Sequence, residues 1–222
     1  MNRQLLSELT GLMLRKVIEH NMLCFYGKTR STSFTEHLDM GSCIMSVKIS
    51  IKYSPNNGHN VVDWVMCGQT VHDDNYHNVK VTINIIINNS VLPNITEPLS
   101  KHYPVFIGET ADIITHELTH VRECVCTPYM DKLSKLLNDS GHLYRGISAV
   151  VDLDEICAYA MGIEANRILS RTSFTNAGNR MIDRFFTDCD LETRKQTIAS
   201  LRLFKRHYLK EIEAPMINKI LI

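Results

Sequence analysis

The sequence predicts an α+β fold, in which an N-terminal helix and a small, mostly antiparallel sheet pack on a helical half. Two observations predict this class. Hydrophobic residues recur with a period of two only between residues 43 and 87, and they recur at helical spacing before and after that region. The 222 residues fit a single domain, which we divide into a helix-plus-sheet lobe (1–103) and a helical lobe (104–222).

The first half of the chain is predicted to fold as one helix followed by strands. Apolar residues at helical spacing predict an amphipathic helix over residues 3–20, whereas the polar stretch 24–40 is expected to be a loop. Further along, apolar and polar residues alternate, which predicts strands that are covered on one face only. The predicted strands span residues 43–53, 61–67 and 79–87.

The second half of the chain follows helical periodicity after Pro104. The predicted helices span residues 108–126, 129–138, 147–170, 176–188 and 191–213. A polar loop over residues 139–146 separates two of them.

Composition and charge argue against several classes of partner. With 44% hydrophobic and 22% charged residues, the chain has the composition of an ordinary globular protein. Its 24 basic and 24 acidic residues cancel, so no overall charge attracts nucleic acid or an anionic membrane. No uncharged stretch is long enough to span a bilayer. We therefore expect neither a nucleic-acid partner nor a membrane span, and the sequence leaves the oligomeric state open.

The cysteines and the N-terminus indicate the compartment. The seven cysteines are odd in number and have no regular spacing, which is typical of thiols in a reducing environment. Glu8, Arg15 and Lys16 interrupt the apolar N-terminal stretch, so we predict no signal peptide. A cytoplasmic location with reduced cysteines is the resulting expectation.

A histidine pair on one predicted helix carries the chemistry. His116 and His120 stand four residues apart, so on a helix they project from one face, one turn apart, and both reach one zinc ion. Glu117 lies about 100° further round the helix. It is placed to accept a proton from a water on the metal as that water attacks a carbonyl.

A catalytic zinc usually has three protein ligands, and the best candidate for the third is Glu155 on a later helix. Ala158 and Gly162 share its face, and small residues there allow two helices to approach closely. Glu164 and Glu123 are rival ligands. Glu164 faces roughly the opposite side of the same helix, and Glu123 shares the helix of the histidines.

Two short segments of the chain resemble the gluzincin metallopeptidases. They are His116-Glu117-Leu118-Thr119-His120 and Glu155-Ile156-Cys157-Ala158. The resemblance implies that the third zinc ligand is a glutamate on a later helix. In thermolysin-like and prenyl-protease-like members an aspartate follows that glutamate by four residues, whereas Tyr159 stands here. Asp152 or Asp154 is then expected to orient a ligand histidine.

The resemblance also implies a substrate-binding sheet edge upstream of the metal helix. The strand Val79–Ile87 is the candidate for this edge, and an internal strand with both sides paired is the alternative. In the loop 139–146, His142 and Tyr144 are candidate catalytic donors to a substrate oxyanion, with Arg145 beside them. Tyr159 is a further candidate donor.

The sequence therefore predicts a peptidase that binds one zinc ion per chain and acts on a protein or peptide substrate. One alternative is a di-iron or di-manganese carboxylate protein, because Glu117 and His120 form the Glu-x-x-His unit of such sites. Its second copy is missing, and Asp139 with His142 is the nearest approach. Another alternative is a non-enzymatic binding protein in which the metal only stabilises the fold.

Overall fold

A computed structural model of the chain describes residues 3–27, 31–40, 43–54, 65–72, 77–88, 103–125, 153–185 and 190–208. The helices in these ranges are α1 (Arg3–Gly27), α2 (Tyr103–Val125), α3 (Leu153–Leu169), α4 (Phe174–Phe185) and α5 (Leu191–Tyr208). The strands are β1 (Ser31–Asp39), β2 (Ile44–Ser54), β3 (Val65–His72) and β4 (Asn78–Asn88). The order of one helix, a sheet and then helices confirms the predicted α+β class. The predicted helix 129–138 and the first residues of the predicted helix 147–170 lie outside the described ranges.

The four strands form one sheet in the order β1-β2-β4-β3. Two of its pairings, β1 with β2 and β3 with β4, are antiparallel, and the central pair β2–β4 is parallel. The strand β4 is therefore internal, with hydrogen-bonded neighbours on both sides. The prediction that Val79–Ile87 offers a free edge to substrate is wrong, and the alternative of a paired internal strand is correct.

The prediction of a loop over residues 24–40 is also wrong, because α1 continues to Gly27 and β1 follows it. The half-buried side chains of β1 alternate strictly, but several of them are polar and are covered by polar residues of α1. Lys16 pairs with Glu36 at 2.5 Å. The ring of His20 stacks on Phe34, with centroids 4.6 Å apart. Such a strand lacks the apolar alternation that sequence periodicity detects.

The core lies on the inner face of the sheet, where α1 and α2 pack against it. The inward side chains of β2 and β4 are fully buried: Met45, Val47, Ile49, Ile51, Val79, Val81, Ile83 and Ile85. Their outward neighbours include the exposed Lys48, Lys52 and Lys80. Each buried aliphatic side chain contributes about 1.5–3 kcal/mol. A register slip of one residue would expose the whole set, so the hydrophobic pattern determines the register.

Among the described elements, helix α2 packs between the sheet, α1 and α3. Every residue from Phe106 to Thr115 is buried, which is expected of a helix covered on several sides. It begins at Tyr103, five residues before the predicted start, and Pro104 in its first turn has no backbone N–H to lose there. Helices α4 and α5 pack on α3. None of the described helices is both long and apolar enough to cross a bilayer.

Candidate metal centre

Helices α2 and α3 pack side by side and bring three ligand-type side chains to one point. The Nε2 atoms of His116 and His120 lie 3.2 Å apart. The Glu155 carboxylate lies between the helices, with Oε2 at 3.2 Å from His116 Nε2 and Oε1 at 3.4 Å from His120 Nε2. The two imidazole side chains are 12% and 14% exposed and the carboxylate is 36% exposed, so the group opens to solvent on the glutamate side.

Small residues on α3 allow this close approach. Gly162 lies directly against α2, where an added Cβ would stand 2.1 Å from Oδ1 and 2.7 Å from the backbone oxygen of Asp112. Gly108 makes the reciprocal contact from α2 to Asn166. Ala158, which was expected to share this face, is fully buried. Gly108 of α2 contacts Asn166 of α3, Asp112 contacts Gly162, and His116 contacts Tyr159. The two helices are therefore antiparallel.

The donor set fits a zinc ion. Two imidazole nitrogens and a carboxylate are ligands that zinc favours, and a catalytic zinc keeps a fourth position open for water. Ligand atoms that bind one tetrahedral zinc at about 2.0–2.1 Å stand about 3.3 Å from one another. The three separations in this group are 3.2, 3.2 and 3.4 Å. The two distances to Glu155 are to different oxygens of its carboxylate, and one ligand atom from each of the three residues lies within 4.8 Å of the others, so the three side chains can converge on one cation.

The electrostatics of the group favour an ionised carboxylate. Hydrogen bonding to His116, and then to His120, lowers the pKa of the Glu155 carboxyl far below its ordinary value, and burial opposes this only in part. A ligand carboxylate must be ionised to bind metal, so Glu155 is in the required state throughout the neutral range.

Glu117 and Tyr159 lie beside the three ligand-type residues. The Glu117 side chain is buried, at 5% exposure. The ring of Tyr159 packs on His116, with centroids 4.6 Å apart. Burial, followed by the negative charges of Glu155, Asp112 and Glu117, raises the pKa of the Tyr159 hydroxyl well above its ordinary value. The hydroxyl therefore keeps its proton and remains a hydrogen-bond donor.

The structure places a second buried carboxylate near the group, and sequence reasoning missed it. Asp112 is 3% exposed and lies one helical turn before His116. Asn166 Nδ2 donates a hydrogen bond of 3.4 Å to its Oδ2. The sequence feature that could have identified Asp112 is its spacing of four residues from His116, which puts both residues on one face of the helix. Of the aspartates expected in this role, Asp152 and the side chain of Asp154 lie outside what the structure describes.

The rival ligand Glu164 is not part of the group. Arg167 holds it with two hydrogen bonds, of 2.8 Å from Nε and 2.6 Å from Nη2, as an ion pair of near neighbours along α3. The prediction that placed it on the far side of α3 from Glu155 agrees with this. The side chain of Glu123, and the loop residues His142, Tyr144 and Arg145, fall outside the described part of the chain.

Within the described residues, His116, His120 and Glu155 are the group of three or more metal-ligand-type side chains that converges on one point. No family model, curated protein or solved structure matches this chain.

Proposed function

We propose that the chain is a zinc-dependent peptidase, with His116, His120 and Glu155 as the metal ligands and Glu117 as the general base. One observation carries the proposal: two imidazole nitrogens of one helix and the carboxylate of another converge within 3.2–3.4 Å of one another, beside a buried glutamate. Glu117 follows His116 directly in the sequence and is 5% exposed, so the proposed general base lies next to the proposed metal ligands.

The proposed reaction is hydrolysis of a peptide bond. Zinc in such a site acts as a Lewis acid, which lowers the pKa of a water ligand towards about 7. With zinc held by His116, His120 and Glu155, Glu117 would accept a proton from the water that attacks the peptide carbonyl carbon and would return it to the amine nitrogen as the C–N bond breaks. Tyr159 retains its own proton, so its hydroxyl is a candidate donor to the substrate oxygen.

The geometry of the sheet favours an extended peptide as substrate. Among the described strands, β1 and β3 are the outer ones, and β3 contacts α2. An extended peptide that added to the outer side of β3 would pair through its backbone, next to the metal helix. This assignment replaces the internal strand β4 as the substrate-binding edge.

Metal stoichiometry and proteolysis together test the function. We expect about one zinc per chain by mass spectrometry of the native protein, and cleavage of a mixed-sequence peptide library that is read out by the new termini. The Glu117→Gln variant keeps the shape of the side chain but cannot take a proton. It should bind zinc as the wild type does and lose at least about 100-fold in cleavage rate.

The Glu155→Ala variant is the matched test of the ligand set. With one of three ligands removed, zinc binding should fall sharply while the helices still form. Unchanged zinc affinity in this variant would remove Glu155 from the ligand set. Two metals per chain would instead support the dinuclear alternative, and cleavage at the wild-type rate by Glu117→Gln would contradict the role of the base.

A further inference from the structure

A chain of buried and half-buried polar side chains leads from Asp112, one helical turn before the candidate metal centre, to α4. Asn166 is fully buried on α3 and joins Asp112 on α2 to Arg180 on α4. Its Nδ2 donates to Asp112, and its Oδ1 accepts 3.1 Å from Arg180 Nη2. Arg180 also faces the buried Glu109 of α2, with Nε at 3.4 Å from Oε1. Three helices are thus tied together by charged and amide groups within a largely apolar core.

The position of Asp112 sets it apart from an ordinary buried acid. It lies on the face of α2 that points at α3, because Gly162 of α3 packs directly on its carboxylate. His116 follows it by one turn on that face. On the opposite helix, Tyr159 lies one turn from Gly162 and packs on His116. The Asp112 carboxylate therefore lies near both His116, which is a proposed metal ligand, and Tyr159, whose ring packs on that ligand.

The Asp112 carboxylate is anchored by a polar partner inside the core. A carboxylate in the core stays ionised only where hydrogen bonds and a compensating cation offset the loss of water. Asn166 supplies a hydrogen bond to Asp112, and Arg180, which also pairs with Glu109, donates to the amide oxygen of Asn166 and so fixes its orientation. An anion held in this way lowers the energy of a cation bound one helical turn away, because the interior screens charges weakly.

We propose that Asp112 is a positioning residue of the metal centre, held by Asn166 and Arg180, which increases metal affinity through its charge and orients the His116–Tyr159 pair. This inference rests on the proposed metal site. It assigns the supporting carboxylate to the helix of the histidines, one turn before the first of them. The glutamate helix, in turn, contributes the glycine that makes room for it.

The Asp112→Asn variant tests the charge because it preserves the shape of the side chain and still accepts a hydrogen bond from Asn166. Removal of an outer partner of a metal site typically weakens binding by about 10–100-fold. We expect that loss in zinc affinity, measured by competition with a chromophoric chelator. The absorption bands of the Co²⁺-substituted protein should also shift, whereas loss of fold stability alone would not move them. The control is Glu164→Gln. This substitution neutralises a buried carboxylate on α3, which Arg167 holds away from the metal centre.

The outcomes separate this inference from the function on which it rests. Zinc affinity within twofold of the wild type in Asp112→Asn, with unchanged Co²⁺ bands, overturns the inference and leaves the proposed function intact. An equal loss in Glu164→Gln also overturns it, because the effect would then be a general one of buried charge. If circular dichroism shows that Asp112→Asn does not fold, Arg180→Gln is judged by the same two measurements, with a several-fold loss expected. A wild-type chain that binds no zinc sinks the inference and the function together.

Discussion

The acidic side chains of α2 show how this helix tolerates charge inside the molecule. Glu109, Asp112 and Glu117 are each no more than 5% exposed. Glu109 faces a guanidinium and Asp112 accepts from an amide, so the cost of burial is offset by partners from other helices. Glu117 is the acid that lies next to the group of metal-ligand type. The two acids with partners on other helices, Glu109 and Asp112, lie on the side of α2 that faces α3 and α4.

A pH-dependent stability effect is expected at Asp190, which precedes α5. Its Oδ1 accepts 2.7 Å from the backbone N–H of Thr193, which makes it the N-cap of the helix. That hydrogen bond lowers the pKa of the Asp190 carboxyl in the folded protein. Its contribution to stability is therefore fully present above the ordinary pKa of 3.8 and is lost as pH falls through the lowered folded value. The difference in melting temperature between wild type and Asp190→Ala should shrink below about pH 3.8.

The control for this prediction is Asp190→Asn, which keeps a capping oxygen but does not titrate. Its difference from Asp190→Ala should stay constant over the same pH range in thermal unfolding followed by circular dichroism. If the difference in melting temperature between wild type and Asp190→Ala is equally constant, the charge of Asp190 does not contribute to stability.

At the scale of the elements, the crossing of α2 and α3 determines the geometry of the site. Two glycines allow the helix backbones to meet, and the ligand-type residues lie one to two turns beyond the point where Gly162 touches α2. Because the helices are rigid, their spacing at the glycine sets the distance between the imidazoles and the Glu155 carboxylate. A change in the glycine contact should therefore change the distances between His116, His120 and Glu155.

The Gly162→Ala substitution should destabilise the fold. Alanine gains up to about 1 kcal/mol in helix propensity over glycine. Its Cβ, however, would lie 2.7 Å from a backbone oxygen of α2, which cannot move independently of the helix. Overpacking of this kind costs about 1–3 kcal/mol. We expect a net loss of about 1–2 kcal/mol in urea unfolding, together with weaker zinc binding.

Gly178→Ala is the matched control for this substitution. Its Cβ would meet Cδ1 of Ile198, the far end of a side chain that can change rotamer. We expect its stability to stay within about 1 kcal/mol of the wild type and its zinc affinity to be unchanged. Equal losses in both variants would show that the closeness of α2 and α3 is not what Gly162 contributes.

Periodicity in the sequence was sufficient to predict the elements that bury one clear apolar face. Strands β2 and β4 alternate between buried apolar residues and mostly polar outward ones, and helical periodicity after Pro104 predicted the helix on which His116 and His120 lie. The choice of Glu155 followed from the small residues that share its helix face. The strand β1 was missed because polar residues of α1 cover it, and Asp112 was missed because its partners Asn166 and Arg180 are distant in sequence. Contacts of this kind exist only once the chain has folded.

At the scale of the whole molecule, a bound metal would join two helices that are far apart in sequence. His120 and Glu155 lie on opposite sides of the stretch 126–152. A ligand that binds only the folded state stabilises it by about 2.7 kcal/mol when present at 100 times its dissociation constant. The melting temperature of zinc-loaded protein should therefore fall on addition of a strong chelator and recover when zinc is restored.

The Glu155→Ala variant serves as the control in this experiment. Its melting temperature should respond little to either the chelator or zinc, because one ligand is missing. A chelator effect of the same size in this variant would mean that the stabilising metal binds elsewhere in the chain.

The sheet cannot form from hairpins of consecutive strands alone. The two central strands run parallel, and β3, which lies between them in sequence, ends up on the outside. The most apolar strands of the protein therefore pair with each other only when distant parts of the chain meet. Until then they can pair with other chains. Lys48, Lys52 and Lys80 alternate with the apolar residues on these strands. Like charges opposite one another destabilise strand pairing, so these lysines would disfavour pairing with a second copy of the same strand at this stage.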